Sequence, residues 1–515
     1  MLFNSNTFLF CFLPFTLFSF YWIGKRDKRV FLVGWLVMIS LVFYAWWDFR
    51  FVPLLVGSIA FNYVVAKTMV YHGGEKAGRK RAALILGISF NLGIIGYFKY
   101  FNFFVDVIET VHGLPLPTLH IILPLGISFF TFQQIAFLVD VYRDRMDRFD
   151  FLSYMTFVSF FPQLIAGPIV QYKEVYPQLN NPSLKRFNKL DLAAGITVFS
   201  IGLFKKVVIA DALALRATPV FAMAESGEPL GFFAAWAGAF SFSLQLYFDF
   251  SGYSDMAIGL ARMFGLRLPV NFYSPYRAVS IIDFWRRWHI TLSRFLRDYL
   301  YIPLGGNRKG QKRKYGNLML TMLLGGLWHG AGWTFVFWGG LHGFFLLINH
   351  GWRRVWRRSI GTWWSVVLAR CTTLLFVTMA WVFFRAESFQ GARRVLEGML
   401  NLPATMEARF GGMAVWMKTI GFQFHAPPMS QQNYTDLIWL GIWLSILWGM
   451  PNTQQIMRGQ YAAIETYPRA ESGKMYAGSF LAWSAGRFWG VVAGILTAVS
   501  ILNLSQPTEF LYFQF

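Results

Sequence analysis

The stretch LLGGLWHGAGW, Leu323 to Trp333, is apolar and rich in glycine, yet it places an ionisable residue, His329, near its centre. Basic runs flank it, RKGQKRK at 308–314 and RRVWRR at 353–358. If both runs lie on the same side of a membrane, the chain between them must enter the bilayer and return. Gly316 to Trp328 would extend about 20 Å as a helix, which puts His329 inside a hydrocarbon core about 30 Å thick. An ionisable residue at that depth predicts a functional site.

The same stretch also fits a simpler interpretation. Gly326 and Gly330 have the GxxxG spacing that lets membrane helices pack closely, and His329 would then only hydrogen-bond to a neighbouring helix. The stretch alone does not separate the two interpretations.

Composition indicates an integral membrane protein. Of the 515 residues, 56% are hydrophobic and 14% are charged, whereas soluble domains carry about 25% charged residues. Apolar segments recur along the whole chain, so we expect an all-α, polytopic protein with one domain over 1–515 and about 11–14 membrane segments. The predicted spans are 6–23, 30–47, 51–70, 82–98, 119–142, 190–209, 232–250, 333–350, 364–384, 435–450 and 488–505. Shorter or interrupted ones are 151–170, 253–265 and 316–328, and we expect the first of these to be re-entrant because prolines interrupt it.

The formal net charge of +22 comes from short basic runs between apolar segments. This distribution is typical of cytoplasmic loops and of contacts with lipid headgroups, and we expect no nucleic acid partner. It places the N-terminus and the segment 386–432 outside the cytoplasm. Cys11 and Cys371 both lie in apolar spans, and the sequence has no zinc-ligand spacing, so we predict no metal site.

A second histidine lies in the segment IIDFWRRWHITLSRFLRDYLYIP, Ile281 to Pro303. Drawn as one continuous helix, this segment has an apolar, aromatic face and a basic face, the pattern of a helix at a membrane interface. His289 falls near the edge of the apolar face, a position that a merely structural histidine would fit too. The basic face carries arginines that are candidates for binding lipid phosphates or a phosphorylated cofactor, namely Arg286, Arg287, Arg294 and Arg297.

Further polar residues lie in the predicted spans between 243 and 265. Gln245 and Asp249 are four residues apart, on one face of a helix, and Asp255 follows Gly252, where we expect the helix to break. Acidic residues inside a membrane need partners. We expect these groups to make structural hydrogen bonds or to orient a catalytic histidine.

The missing motifs narrow the chemistry. The sequence has no P-loop, GxGxxG, HExxH or GxSxG pattern, so ATP-driven transport, dinucleotide chemistry, zinc hydrolysis and a serine hydrolase lack support. A neutral histidine can instead take a proton from a hydroxyl that attacks an acyl carbonyl, because its reference pKa near 6.5 suits a base at neutral pH. The alternative is a multi-span transporter of a polysaccharide or an acyl lipid, with the intramembrane acids and His329 as a proton relay.

Several long stretches carry a resemblance to a known family. FWRRWHITLSRFLRDYLYIPLGGNR (284–308), LLGGLWHGAGWTFVFWGGLHG (323–343), YFDFSGYSDMAIGLARMFG (247–265) and FFPQLIAGPIVQY (160–172) are similar to the membrane-bound O-acyltransferase family, and within it to the bacterial branch that acetylates alginate. The resemblance covers nearly the whole chain and is weakest around 400–480. It implies a ring of helices, some re-entrant or interfacial, around a central tunnel, with 281–350 as the catalytic histidine region.

The same resemblance implies roles for individual residues. His329, in the WHG motif, would be the general base, and His289, in the RRWH motif, would assist by holding His329 or by stabilising a developing oxyanion. Trp328 and Trp333 would wall the site, and the four arginines would bind donor phosphates. The donor would be cytoplasmic acetyl-CoA, with no permanently bound cofactor. A periplasmic acetyltransferase partner would complete the acetylation of an exopolysaccharide such as alginate, at the bacterial inner membrane.

Overall fold

Helices make up most of the described chain. The computed structural model describes residues 1–26, 28–71, 77–113, 117–146, 148–355, 362–428, 430–460, 462–464, 481–505 and 511. Within these residues two short strands, β1 (Asn401–Pro403) and β2 (Gln423–Ala426), pair in parallel. The predicted all-α membrane fold is confirmed. Parts of the predicted basic runs, including 356–358, lie outside the described residues.

The helices follow the predicted apolar segments. In chain order the α-helices are α1 Leu13–Gly24, α2 Arg29–Ala45, α3 Val52–Tyr71, α4 Ala77–Ile95, α5 Phe101–His112, α6 Ile127–Tyr142, α7 Phe151–Ser159, α8 Phe161–Leu164, α9 Tyr172–Leu179, α10 Lys189–Phe204, α11 Asp211–Ser226, α12 Phe232–Met263, α13 Ile281–Trp285, α14 Ile290–Phe295, α15 Gly310–His329, α16 Trp333–Val355, α17 Trp363–Arg385, α18 Phe389–Gly398, α19 Glu407–Phe410, α20 Gly412–Thr419, α21 Gln431–Gly449, α22 Thr453–Ile456 and α23 Arg487–Leu502. The π-helical segments are Thr7–Phe12, Gly96–Tyr100, Lys205–Ala210 and Leu296–Tyr301, and the 3₁₀ turns are Phe49–Phe51, Pro182–Lys185, Pro275–Arg277, Ala404–Met406 and Arg458–Gln460.

Several helical stretches are long and apolar enough to cross a membrane. They are Thr7–Gly24, Phe49–Tyr71, Ala77–His112, Lys189–Ser226 and Trp363–Arg385, and shorter apolar helices are Arg29–Ala45, Ile127–Tyr142 and Arg487–Leu502. Large apolar side chains point outward from them, as Phe18 does from α1 with 74% of its surface exposed. A helix satisfies its own backbone hydrogen bonds, so these stretches can face lipid. The total number of membrane segments stays a prediction.

The expected helix break at Gly252 is wrong. α12 is continuous over 32 residues, Phe232–Met263, and Gly252 lies within it. The glycine instead permits close packing, because a Cβ at Gly252 would lie 2.8 Å from the carbonyl oxygen of Gly202 on α10. About two turns further along α12, Gly259 approaches Gly195 of α10 in the same way. Small residues at a membrane-helix contact let two backbones come together.

The segment 151–170 is broken, as its prolines suggested. α7 ends at Ser159, the short α8 follows, and the chain beyond it is irregular but buried. Irregular backbone is tolerated at membrane depth where protein surrounds it. Here the amide N–H of Ile169 donates to the hydroxyl of Thr291, 2.9 Å away, so this segment is joined directly to the histidine region.

The prediction of one continuous amphipathic helix over 281–303 is wrong. α13 ends at Trp285, α14 starts at Ile290, and a π-helical segment follows from Leu296. Between α13 and α14, His289 has φ 41° and ψ 55°, the left-handed conformation, so the helix cannot pass through it. The apolar face and the basic face that were predicted for one continuous helix are therefore not present as such.

The histidine region lies where two apolar cores meet. Trp288 packs in a core with residues of α11, α12, α16 and α17, and Ile290 packs in a second core with residues of α2, α6, α10 and α12. His289 stands between these two neighbours, so its position is fixed by packing from both sides.

Candidate active site

His329 is the last residue of α15 and is 8% exposed. Its imidazole is surrounded by aromatic rings, with ring centroids 4.9 Å from Trp328, 5.1 Å from Trp338 and 5.4 Å from Phe384. These contacts restrict the rotamer of the imidazole and keep bulk water away from most of it.

Glycines place His329 by allowing α15 and α16 to pack closely. A Cβ at Gly326 would lie 2.3 Å from the carbonyl oxygen of Phe335, and a Cβ at Gly330 would meet the Phe335 ring at 2.2 Å. Gly339 on α16 approaches Met322 in the same way. Helix packing and a histidine site are therefore not alternatives here, since the packing glycines bring the end of α15 to its position.

His289 is completely buried and is held by a side chain from outside its own motif. Its Nδ1 lies 3.1 Å from Oδ1 of Asn271. The same Oδ1 accepts from the backbone N–H of Thr291 at 3.3 Å and from the Thr291 hydroxyl at 2.9 Å. Nδ2 of Asn271 donates to the Ser254 hydroxyl at 3.3 Å.

This network fixes the tautomer of His289. A backbone N–H can only donate, so the atom of Asn271 that faces Thr291 must be the carbonyl oxygen. The His289 Nδ1 that faces the same oxygen therefore carries a hydrogen. In the neutral ring, Nε2 then carries the lone pair and acts as an acceptor.

The two histidines come from different segments and meet at one place. The centroids of the His289 and His329 rings are 6.4 Å apart, and Trp328 touches both. The predicted pair of histidines is thus brought together, at a spacing that one small reacting group can bridge.

A pocket opens beside His329. It is lined by Trp47, Lys99, Leu123, Pro124, Leu125, Gly126, Ile127, Ser128, Phe129, Ile165, Trp328 and His329. These residues lie at the end of the bundle where α6 begins, whereas the basic run at 308–314 lies at the opposite end of α15. His329 is thus accessible from the end away from that basic run.

Three of the four candidate arginines form ion pairs within the protein. Arg287 pairs with Asp283 at 2.9 Å, Arg294 with Glu174 at 2.6 Å, and Arg297 with Asp298 at 2.7 Å. Arg286 is exposed. The predicted basic face is therefore largely neutralised, and donor binding by these arginines stays a prediction.

The two candidate tryptophans lie in different environments. Trp328 is buried beside both histidines and lines the pocket. Trp333 is 56% exposed, packs on Phe103 with ring centroids 5.5 Å apart, and lines an apolar groove on the outer side of α15 and α16. The structure therefore brings Trp328, but not Trp333, into the wall of the pocket.

The intramembrane acids have lysine partners. Asp249 lies 2.8 Å from Nζ of Lys206, and Asp255 lies 2.6 Å from Nζ of Lys205. Gln245 is buried nearby on α12. The two ion pairs give the acids a structural role in joining α12 to the π-helical segment Lys205–Ala210. An acid already paired in this way is poorly suited to carry protons, which weakens the transporter alternative.

Two residues of the site escaped the sequence analysis. Asn271 lies 18 residues from His289, in a stretch without a recognisable pattern. Lys99 donates to the carbonyl oxygens of Trp328 and His329 at 2.6 and 3.0 Å. The lysine is visible in the sequence as an isolated charge directly after the predicted span 82–98 and before further apolar residues. Within the described ranges, no group of three or more His, Cys, Asp or Glu residues could hold a metal.

Comparison with known proteins connects this geometry to a family. A sequence model of MBOAT, the membrane-bound O-acyltransferase family, matches residues 138–389, which include both histidines. The chain is 47% identical to the peptidoglycan O-acetyltransferase of Helicobacter pylori over 78% of this chain and 80% of that protein. It is 39% identical to the probable alginate O-acetylase AlgI of Pseudomonas aeruginosa over 100% of both. The teichoic acid D-alanyltransferase of Streptococcus thermophilus is 28% identical over 45% of this chain and 57% of that protein. The chain is therefore a multi-pass membrane protein that belongs to the membrane-bound O-acyltransferase family.

Proposed function

We propose that the protein takes an acetyl group from cytoplasmic acetyl-CoA and passes it across the bacterial inner membrane for O-acetylation of an exopolysaccharide. Family membership makes it an O-acyltransferase. The names of the relatives, an alginate O-acetylase and a peptidoglycan O-acetyltransferase, support acetyl as the group and a polysaccharide as the final acceptor. A periplasmic acetyltransferase partner then receives the acetyl group and completes the acetylation of the polymer.

The observation that carries this proposal is the convergence of His289 and His329 beside a pocket. The ring centroids are 6.4 Å apart, and His329 lines a pocket that opens away from the basic run at 308–314. Under the positive-inside rule that run is cytoplasmic, so the pocket faces the periplasm. An acceptor hydroxyl would then approach His329 from the periplasmic side, while the donor approaches from the other side.

In the proposed reaction His329 is the general base. The acceptor hydroxyl attacks the thioester carbonyl as His329 takes its proton, the C–O bond forms, and the C–S bond breaks. The proton then passes from His329 to the sulfur, which leaves as the coenzyme A thiol. General base catalysis contributes about 10²- to 10⁴-fold to a rate.

The hydrogen bonds of His289 favour one of its two expected roles. With its Nδ1–H bonded to Asn271, neutral His289 offers only a lone pair on Nε2. A lone pair can accept a hydrogen bond from the attacking hydroxyl or from protonated His329, but it cannot stabilise an oxyanion. We therefore assign His289 to positioning and not to oxyanion binding.

Acetyl-CoA is a substrate in this proposal, and no permanently bound cofactor takes part. Of the candidate arginines, Arg286 is the first to test for contact with the donor phosphates, because the other three already form ion pairs. A guanidinium group that is already paired must give up its carboxylate before it can bind phosphate.

The experiment that tests the function is coenzyme A release from acetyl-CoA by detergent-purified protein, with acceptor polysaccharide and periplasmic extract supplied. Wild type is compared with His329→Ala and with the matched control His350→Ala, which changes a histidine at the other end of α16. We expect His329→Ala to lower release by about 10²-fold or more and His350→Ala to leave it near wild type. Equal release by a monodisperse His329→Ala protein would refute the assignment of the base. No release by wild type would refute the proposed reaction.

A further inference from the structure

A third histidine, His342, is buried near the two described above, and its polar atoms are not paired. It lies on α16 and is 0% exposed. In the described part of the chain, neither its Nδ1 nor its Nε2 has a hydrogen-bond partner. Buried polar groups in proteins are nearly always hydrogen-bonded, because an unpaired one costs free energy. His342 is therefore placed to bind a polar group from outside the chain.

The ring of Trp338 lies between His342 and His329. Its centroid is 4.8 Å from that of His342 and 5.1 Å from that of His329. α16 begins close to His329 in the chain and ends with Arg353 and Arg354 in its last turn. His342 therefore lies on the side of His329 that leads to the basic end of α16, which is the side from which the proposed donor approaches.

Polar side chains form a stripe along one face of α16, namely Trp338, His342, Asn349 and Arg353. An α-helix turns about 100° per residue, so all of them fall within about 60° of one another. Among the described residues, the indole Nε1 of Trp338 and the buried Oδ1 of Asn349 have no hydrogen-bond partner either. At the basic end, the exposed Arg353 donates to Oγ of Ser280 at 3.2 Å. The stripe is about 22 Å long and connects the surroundings of the proposed base to the basic end of the helix.

The rings that cover His342 come from two other helices. Phe284 and Trp285 of α13 have ring centroids 6.1 and 5.2 Å from that of His342, and Trp381 of α17 is 6.0 Å away. Phenylalanine has no polar atom and the indole N–H of tryptophan can only donate. These rings thus offer the imidazole no acceptor of ordinary strength.

The chemistry of the imidazole indicates what kind of group would fit. A neutral imidazole has one nitrogen that donates and one that accepts, so its partner must be able to do both. A secondary amide meets this condition with its C=O and its N–H. The arm of coenzyme A carries such amides between the thioester and the phosphates, and arginine binds phosphate through charge-assisted hydrogen bonds. The order of groups along the arm, thioester, amides and phosphates, is thus the order in which the stripe would meet them.

We propose that the pantetheine arm of the donor lies along this face of α16, between α16 and α13, with an amide bonded to His342 and the phosphates bonded to Arg353. The inference rests on the proposed function, to which it adds the residues that bind the donor. A polar group of the arm nearer the phosphates donates to Oδ1 of Asn349. His342 binds the arm and takes no part in the proton transfer assigned to His329.

The test is equilibrium binding, which does not depend on catalysis. The probes are coenzyme A and pantetheine, which has the amides but lacks the phosphates, and binding to detergent-purified protein is measured by calorimetry. We expect His342→Phe to weaken both probes about tenfold and to raise Tm, because the substitution removes a polar group that is unpaired without donor. His342→Gln can both donate and accept and should keep most of the affinity. His350→Phe changes a histidine of α16 that lies off the stripe, and it should bind both probes like wild type.

Arg353→Gln tests the other end of the stripe. It should weaken coenzyme A about tenfold and leave pantetheine unchanged, since a charge-assisted bond to phosphate is among the stronger hydrogen bonds. Arg354→Gln is the matched control from the same basic run. Arg354 lies off the stripe, with its guanidinium 6.0 Å from the ring centroid of Tyr315, and its variant should bind coenzyme A like wild type.

The outcomes separate the donor site from the proposed function. If His342→Phe lowers Tm and binds both probes like wild type, His342 is a packing residue and the proposal fails. Equal weakening by His342→Phe and His342→Gln with a lowered Tm would lead to the same conclusion. If Arg353→Gln and Arg354→Gln weaken coenzyme A equally, the assignment of Arg353 is rejected. Binding that depends on the stripe, without release of coenzyme A from acetyl-CoA, would reject the proposed function and keep the site.

Discussion

The Nδ1–H of His289 donates to the side-chain oxygen of Asn271, 3.1 Å away, and Asn271 cannot turn its amide to do otherwise. Its oxygen also accepts from the backbone N–H of Thr291, and its nitrogen donates to Ser254. A residue from a loop and a residue from α12 thus set the tautomer of a histidine in a third segment. A hydrogen-bond partner on one ring nitrogen of a histidine fixes the orientation of the ring and the role of its other nitrogen.

Asn271→Ala should lower acyl transfer more than it lowers stability. The substitution leaves His289 free to rotate and to change its tautomer, so we expect coenzyme A release to fall by about tenfold or more. It also removes a partner of the buried Thr291 hydroxyl, which should cost about 1–3 kcal/mol of unfolding free energy. Release per folded molecule and the melting temperature are the measurements.

Asn91→Ala provides the control for Asn271. Asn91 is also buried in an amide network, with Asn62 at 2.7 Å, but that network joins α3, α4 and α6. The Asn91→Ala variant should lose a similar amount of unfolding free energy and keep its activity per folded molecule. If the two variants lose activity in parallel, Asn271 is a general packing residue.

The left-handed backbone of His289 predicts an unusual order of stability. At φ 41° a side chain with a Cβ is strained, and glycine is not. We therefore expect His289→Gly to be about 1 kcal/mol more stable than His289→Ala, although both lack the imidazole and should be equally impaired in coenzyme A release. Thermal unfolding in detergent compares the two variants. A His289→Ala protein at least as stable as His289→Gly would contradict the strained conformation.

The sequence predicted the membrane helices better than the site, and the reason is physical. A span must have about 20 apolar residues whatever surrounds it, so length and composition reveal it. The break at His289 leaves no such trace, because the irregular chain there is covered by protein and keeps its apolar residues. Drawing 281–303 as one helix also placed Arg294 on a basic face available to ligands, whereas Arg294 pairs with Glu174, which is 120 positions away in the chain. Pairings at such separations follow from the tertiary fold and not from a local pattern.

The ion pair between Lys205 and Asp255 should behave as a buried structural pair. Asp255 also accepts from the hydroxyl of Thr453 at 2.6 Å, and Lys205 donates to that same hydroxyl at 2.8 Å, which closes a triad. Asp255→Asn leaves an uncompensated cation, so we expect a loss of about 3–5 kcal/mol. The double variant Lys205→Met with Asp255→Asn should recover much of this loss, and chemical unfolding measures both.

An exposed pair is the reference for this comparison. Asp144, whose side chain is 82% exposed, pairs with Lys80 at 2.5 Å, and Asp144→Asn should cost about 1 kcal/mol or less. The double variant at 205 and 255 also tests whether Asp255 takes part in acyl transfer. If it folds but no longer supports coenzyme A release, Asp255 has a role in function beyond the ion pair.

Gly252→Ala should affect both stability and the site. A Cβ there would lie 2.8 Å from the carbonyl oxygen of Gly202 and 3.1 Å from the amide nitrogen of Lys206, backbone atoms that cannot move without separating α10 from α12. Overpacking of this kind costs about 1–3 kcal/mol. Gly93→Ala is the control, since no atom lies within 4 Å of a Cβ at that position, and alanine is the better helix former by about 1 kcal/mol.

The effect of Gly252→Ala on activity follows from the contacts that the residues flanking Gly252 on α12 make with the site. Phe250 packs on the His289 ring with centroids 4.7 Å apart, and Ser254 accepts the hydrogen bond from Asn271. A displacement of α12 at Gly252 therefore moves both supports of His289, so coenzyme A release should fall in the variant even below its melting temperature. A Gly252→Ala protein that is destabilised but fully active per folded molecule would mean that the site tolerates movement of α12, and that His289 is held by Asn271 alone.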